Sequence, residues 1–351
     1  MKKMRFIGLF VLVVSVSLVF GGGIFQKAQC AKSYNLKFQM AWHTQHPEYK
    51  AYQEFIKMVD EASGGRLKFT LFPASQLIGR EQALDGLAKG TIDMMAGSAV
   101  YYHGMVPEGD VDWLPYMVLG NREVFWDFMN YRGGGNRGEF RDIIYDAYLK
   151  KANAVWLTNI ICGGEGIIGR GNNAYDSLEK IKGIKLRAAG GVATRVAAAW
   201  GASPVTMATG ELYPALQRGT VDALIFPMYG LKDYKFFEVA KTYTDPPVFI
   251  WCDDLWINKD SFERLPKDLQ TILYDVAHKW GRWASVEYWP AYEEENKKWC
   301  EEKGVKFFEM SDADIEKSRE MMKEVWDWYA NESPECKRLI ELLVEEQKTW
   351  K

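Results

Sequence analysis

Between residues 36 and 96 short apolar strands alternate with amphipathic helices, and this alternation restricts the fold more than any other feature. Leu36 to Ala41 reads as a strand that runs into the loop Trp42-His43-Thr44-Gln45-His46-Pro47. From Ala51 to Ala62 the apolar positions Ala51, Phe55, Val59 and Ala62 recur at helical spacing, and Gly64-Gly65 stops the helix. Leu67-Lys68-Phe69-Thr70-Leu71 alternates as a half-buried strand does. A second short helix spans Glu81 to Ala88 and ends at Gly90, and Ile92 to Ala96 is a third strand. Strands separated by helices pair in parallel, so the fold class is α/β. Ligands of such sheets sit beyond the carboxyl ends of the strands, here the loops at Trp42, Gln76 and Tyr101.

The second half repeats the pattern. Ala154 to Cys162 and Gly183 to Arg187 read as strands, Val192 to Trp200 and Glu211 to Arg218 as helices, and Val221 to Phe226 as a strand. Phe249 to Asn258 is a long strand that would return to the first domain. Pro266 opens a helix expected to reach about Lys303 with a kink at Pro290, and the rest is helical and charged. The longest loops are expected at Pro107-Glu108-Gly109-Asp110 and Gly133-Gly134-Gly135-Asn136, and no fixed-period repeat is present. A length of 351 residues corresponds to two domains.

The first thirty residues contain no acid and have the three parts of an export signal: a basic start at Met1 to Arg5, an apolar run from Phe6 to Phe20, and small residues at Ala28-Gln29-Cys30 after a glycine break. A cleaved signal peptide over residues 1–30 and a periplasmic location are expected, against an uncleaved anchor or a lipid-modified Cys30. Loss of Lys2, Lys3, Arg5 and Lys27 takes the net charge from -3 to -7. An acidic chain argues against a nucleic-acid partner. Export places Cys162, Cys252, Cys300 and Cys336 in an oxidising compartment; Cys300 and Cys336 are candidates to pair, with four buried thiols as the alternative.

Several motifs carry no chemistry. Gly164-Glu165-Gly166-Ile167-Ile168-Gly169 has the spacing of a dinucleotide loop, but Arg170-Gly171-Asn172-Asn173 follows where a helix should open. His43 and His46 lack a companion cluster of acids or cysteines, so a structural or solvent-facing role is expected rather than metal. Asp110 and Asp112 are expected to be a solvated pair in a loop. Asn331-Glu332-Ser333 fits a glycosylation sequon, which arises often by chance. No nucleophile elbow and no triad is recognisable.

Taken in order, five segments resemble one family: Ser63-Gly64-Gly65-Arg66-Leu67; Phe72-Pro73-Ala74-Ser75-Gln76-Leu77-Ile78-Gly79; Gly90-Thr91-Ile92-Asp93-Met94; Lys182-Gly183-Ile184-Lys185-Leu186-Arg187; and Glu211-Leu212-Tyr213-Pro214-Ala215-Leu216-Gln217-Arg218-Gly219-Thr220-Val221-Asp222. Across the mature chain it resembles the extracytoplasmic solute-binding subunits of TRAP transporters, the DctP-type family. The resemblance implies a type II-like periplasmic binding fold of two α/β domains, with a long helix spanning both. Domain boundaries of 34–160 plus 252–290 and 161–251 plus 291–351 follow. It also implies a cleft that closes on a ligand, delivery to an ion-gradient-driven permease, and no enzymatic step. Ala188-Ala189-Gly190-Gly191 and the wording around Glu211 and Asp222 lean toward the keto-acid branch.

The resemblance makes Arg187 the carboxylate anchor, and the planar guanidinium fork matches a carboxylate with two parallel hydrogen bonds. Two departures bear on the ligand. Where many members carry a second cation or carboxamide, Glu165 is the only charged group, with the wrong sign for a carboxylate. Where others have Glu-Asn or Glu-Trp, this chain has Ile225-Phe226, so no metal and no cofactor is expected. One anchor with an apolar remainder fits a monocarboxylate with an aliphatic or aromatic body. Candidate walls are Trp42, Tyr101, Tyr102, Phe226, Tyr229 and Trp251, with Glu165 also a candidate site residue. A dicarboxylate would need a second cation, for which Arg170 and Lys185 are the nearby offers. The alternatives are a dicarboxylate or keto-acid binder, a ligand-binding sensory protein, and an exported hydrolase. The terminal stripe at Leu339, Leu342 and Leu343 is expected to pack on its own domain, so a monomer is expected over a helix-exchanged dimer.

Overall fold

The computed structural model describes residues 32–74, 76–117 and 121–350. The expected signal peptide and Cys30 lie outside the described residues. Among the described residues nine strands form one sheet: β1 (Tyr34–Met40), β2 (Leu67–Phe72), β3 (Met94–Gly97), β4 (Ala154–Arg170), β5 (Lys185–Ala188), β6 (Ser203–Thr206), β7 (Ala223–Pro227), β8 (Ala240–Asn258) and β9 (Lys306–Glu309). Their order is β2-β1-β3-β8-β4-β7-β5-β6, with β9 beside β8. β1, β2 and β3 pair in parallel, as do β5, β6 and β7, which meets the expectation from strand-helix alternation.

The centre of the sheet is an antiparallel ribbon of β4 and β8, paired from Ala154 opposite Asn258 to Arg170 opposite Ala240 with four shifts of register between. The two parallel groups attach near opposite ends of this ribbon. β3 pairs with β8 at Asp254 to Ile257, whereas β7 pairs with β4 at Glu165 to Gly169. The architecture is α/β of the expected two-lobed kind, and the strands run well past their expected lengths of Ala154 to Cys162 and Phe249 to Asn258. The glycines of β4 all lie beyond its expected end at Cys162. Two of them are required because the strand is crowded: a Cβ at Gly166 would clash with the Thr244 carbonyl oxygen, and one at Gly169 with the Asn173 carbonyl oxygen. The dinucleotide-like motif is therefore a segment of mid-sheet strand.

Other expectations are corrected. Pro107–Trp113 is a 3-10 helix rather than a solvated loop, and Asp110 and Asp112 are fully buried in it. Asp110 bonds the His103 ring at 3.1 Å, and the segment packs beneath β8 against Trp256 and Tyr148. Gly135 begins a helix, Gly135–Ala152, instead of lying in a long loop. The helix Lys267–Trp283 continues through a π turn, Ala284–Tyr288, into the helix Trp289–Glu302. Pro290 has no N–H to give to the preceding turn, and the wider π turn just before it fits the ring into the helical run. β6 and β9 were not anticipated. Each has only four residues, and none of the eight is fully buried, so neither has the buried apolar run of the longer strands.

All four described cysteines are free thiols in buried positions, so Cys300 and Cys336 are unpaired; they belong to separate apolar clusters. The C-terminal helix Pro334–Gln347 buries Leu339, Leu342 and Leu343 against Phe128, Phe140 and their neighbours. Among the described residues no helix is long and apolar enough to cross a membrane.

Candidate functional site

The carboxyl ends of the two parallel groups point at the same region, and the middle of the ribbon forms its floor. Trp42 and Tyr101 lie just past β1 and β3, with ring centroids 6.3 Å apart. Arg187 lies near the end of β5 and Phe226 near the end of β7. Tyr229 opens the short helix Tyr229–Asp233 that follows. Glu165 on β4 and Trp251 on β8 come from the ribbon. Trp251 meets Trp42 at 5.3 Å and Tyr229 at 5.5 Å, and Tyr229 meets Phe226 at 5.6 Å. All seven expected site residues thus fall in one connected cluster, drawn from six strands or strand ends.

Arg187 is only 3% exposed. Its Nη1 and Nη2 reach the carbonyls of Ile225 and Met207 at a long 3.5 Å each. Its Nε has no hydrogen-bond partner, and the guanidinium lies 5.6 Å from the Phe226 ring centroid. Among the described residues no carboxylate comes within ion-pair distance of it. Burial lowers its pKa from the ordinary arginine value, opposed by Tyr101 and Glu165. A buried guanidinium without a paired anion is costly, and a fitting carboxylate offsets that cost.

Glu165 is 4% exposed, and its Oε2 has no hydrogen-bond partner. Burial raises its pKa from the ordinary 4.5 to about 8, against the opposing pull of Arg187. At neutral pH it is therefore a carboxylic acid, with a proton to donate.

The sequence reading missed Arg80. It lies in the 3-10 turn Arg80–Gln82 beyond β2, stacked 4.0 Å above the Tyr101 ring centroid and 5.8 Å from that of Trp42. Its Nη2 pairs with Glu81 at 3.1 Å, while its buried Nε is unpartnered. Arg80 and Tyr101 both act electrostatically on Arg187, so Arg80 is the second cation of this region. The loop past β2 had been singled out at Gln76, but Arg80 immediately follows the Gly79 that ends the recognisable segment. The two cations offered instead are corrected. The Arg170 Nε donates to the Leu216 carbonyl at 2.9 Å, and Lys185 is exposed at the first position of β5. Tyr234 was also missed; it packs 5.7 Å from Phe226 and feels both Arg80 and Arg187. Tyr102 is not a wall residue, because its hydroxyl donates to the Arg80 carbonyl and its ring packs on Trp256 in the other apolar cluster.

Behind the aromatic wall lies a buried polar knot. His46 stacks on Trp42 at 4.7 Å and accepts the Glu48 N–H at 3.3 Å as the cap of the helix Pro47–Ala62. Burial lowers its pKa so that the ring is neutral. Trp42 Nε1 donates to Asp253 at 2.5 Å, and the Cys162 thiol donates to Glu48 at 2.7 Å. Burial raises both Glu48 and Asp253; the Asp253 hydrogen bond pulls Glu48 back down, while the neighbouring Glu48 pushes Asp253 further up, so the pair holds a proton. Among the described residues no group of three or more His, Cys, Asp or Glu side chains has the arrangement of a metal site.

Residues 38–333 match the family model described as "Bacterial extracellular solute-binding protein, family 7", DctP. A solute-binding protein of Albidiferax ferrireducens is 23% identical over 83% of each chain. A monocarboxylate 2-oxoacid-binding periplasmic protein of a Nostoc species is 26% identical over 68% of this chain and 64% of its own. Among solved structures, a TRAP periplasmic solute-binding protein of Desulfovibrio salexigens with bound orotic acid superposes with a TM-score of 0.80 at 22% identity, covering 90% of this chain and 98% of that one. The matched span runs through both parallel strand groups, the ribbon and every residue of the cluster around Arg187, and the chain belongs to the DctP family of bacterial extracellular solute-binding proteins.

Proposed function

We propose that this protein captures a small monocarboxylate with a ring or branched apolar body between Arg187 and the aromatic cluster, and hands it to a TRAP-type permease in the periplasm. The observation that carries the reading is the Arg187 guanidinium, buried among rings with no anion of its own in ion-pair reach among the described residues. Its fork supplies the charge and fixes the carboxylate plane. Trp42, Phe226, Tyr229 and Trp251 supply apolar faces at low entropy cost. Binding by relatives of 2-oxo acids and orotate, a ring monocarboxylate, supports the class. The lobes divide within the ribbon, at 160/161 and 251/252, so that ligand contacts to both lobes coexist only when they close.

A second reading is favoured by Arg80. A dicarboxylate spanning Arg187 and Arg80 would satisfy both unpartnered Nε atoms.

Thermal unfolding of the mature protein with benzoate, orotate, pyruvate, glucuronate and succinate separates the two readings. A ligand at 100 times its dissociation constant adds about 2.7 kcal/mol. The expected result is a shift with ring monocarboxylates that is lost in Arg187→Ala, whose affinity falls by more than about tenfold, the loss of a charge-assisted pair. Normal binding by Arg187→Ala would make the arginine structural. A shift with succinate alone would establish the second reading.

A further inference from the structure

We propose that Glu165 is a specificity residue that acts as a neutral carboxylic acid, donating a hydrogen bond to the bound acid beside Arg187, so that capture weakens once Glu165 ionises. This rests on the reading of the cluster as an acid-binding site, and it adds which chemical form of ligand is taken.

The argument begins with position. Glu165 is in register with Pro227 of β7 and Phe249 of β8, at the point where the ribbon meets the second strand group. Its side chain is buried, and its Oε2 has no partner. The groups that act on it are the guanidinium of Arg187 from β5 and the hydroxyls of Tyr101 beyond β3, Tyr229 beyond β7 and Tyr243 on β8. Arg80 stands behind Tyr101. The other nearby carboxylate, Glu293, accepts the Gly164 N–H at 3.3 Å and is neutralised by Arg122 at 2.5 Å. The three tyrosines are all pushed above their ordinary pKa by burial and stay neutral, so Arg187 is the one charge directly opposed to Glu165. It lies beyond ion-pair distance, and one such cation does not compensate full burial of a carboxylate.

Two chemical consequences follow. In its neutral form Glu165 leaves Arg187 to an incoming carboxylate and offers an O–H to a carboxylate oxygen or to an acceptor next to it, such as a 2-oxo group or a ring carbonyl. In its ionised form it is an internal anion that competes for Arg187 and repels the ligand. The site should therefore reject α-amino acids, whose ammonium would need an ionised Glu165, and take neutral-bodied acids. The bound acid raises the affinity of Glu165 for its proton, so binding weakens as pH rises, by up to about tenfold per pH unit for one linked proton.

The test uses the mature protein with benzoate and orotate as probes, titrated calorimetrically from pH 6 to pH 9 in buffers of different ionisation enthalpy. Glu165→Gln and carbon-13 NMR of the glutamate carboxyls run alongside. Expected are a Kd that rises with pH in the wild type, proton uptake on binding that is small at pH 6 and grows toward pH 9, a nearly flat Kd profile in Glu165→Gln, and a Glu165 resonance, missing from the variant, that titrates at or above pH 7. Binding through Arg187 with the same profile in wild type and variant would overturn the inference and leave the acid-binding reading intact. A Glu165 midpoint below pH 6, or glycine and alanine binding more tightly as pH rises, would also overturn it. No binding of either probe to wild type at pH 6 would overturn the inference for this class of acid and count against the acid-binding reading itself.

Discussion

The same glutamate predicts a change of sign in stability that needs no ligand. In the folded protein Glu165 holds its proton up to about pH 8, whereas the unfolded chain gives it up near 4.5. A carboxyl raised in this way contributes its full stability below pH 4.5, and that contribution is lost as pH rises toward 8. At pH 7 the interval from 4.5 to 7, at about 1.4 kcal/mol per pH unit, amounts to roughly 3 kcal/mol that the native state forgoes. Glu165→Gln keeps the shape and removes the titration, while its amide adds a poorly bonded donor at a cost of about 1 kcal/mol. The variant should be less stable than the wild type by about 1 kcal/mol near pH 4.5 and more stable by about 2 kcal/mol at pH 7, with a crossing near pH 5 to 6. Urea denaturation followed by tryptophan fluorescence at those pH values reads this directly. Parallel stability curves with no crossing would show that Glu165 is ionised in the folded protein, and the burial argument would fail.

Three further results are expected. Gly281→Ala should lower stability by roughly 1–3 kcal/mol in the same assay, because its Cβ would meet Thr158 Oγ1 at 2.6 Å and the Asn159 carbonyl at 3.0 Å. Arg80→Gln should weaken orotate binding several-fold by calorimetry yet leave the melting temperature nearly unchanged, since its ion-pair partner Glu81 is exposed and such pairs contribute about 1 kcal/mol or less. A thiol reagent should label none of Cys162, Cys252, Cys300 and Cys336 in the native protein and all four after denaturation, with no Cys300–Cys336 bridge in a non-reducing peptide map.

The legible parts of this molecule are those where local pattern and tertiary role agree. Strand-helix alternation specified the two parallel groups because each buries one face locally. Arg187 was singled out by the family resemblance of the Lys-Gly-Ile-Lys-Leu-Arg segment, and Trp42 and Tyr101 by the loops past strand ends. The unread parts depend on neighbours distant in sequence. Arg80 faces the site only because Tyr101, twenty-one positions on, lies under its guanidinium. Asp110 and Asp112 look solvated until β8 covers them. The second half of β4 contains Gly163, Gly164, Gly166 and Gly169, which locally argue against a strand, and they are tolerated there because β7 and β8 flank them on both sides.

The ribbon also sets a clock. Its first rung joins Ala154 to Asn258, and β3 finds its outer neighbour only at residues 254–257, about 160 positions downstream. Pairings so distant in sequence slow folding, because the intervening loop must be closed before any contact rewards it. At roughly 5–20 residues per second of synthesis, the strands β1 to β3 wait many seconds for the segment that completes their sheet. During that interval no closed sheet exists to resist threading. The outer edge of β3 therefore stays open until β8 has been made.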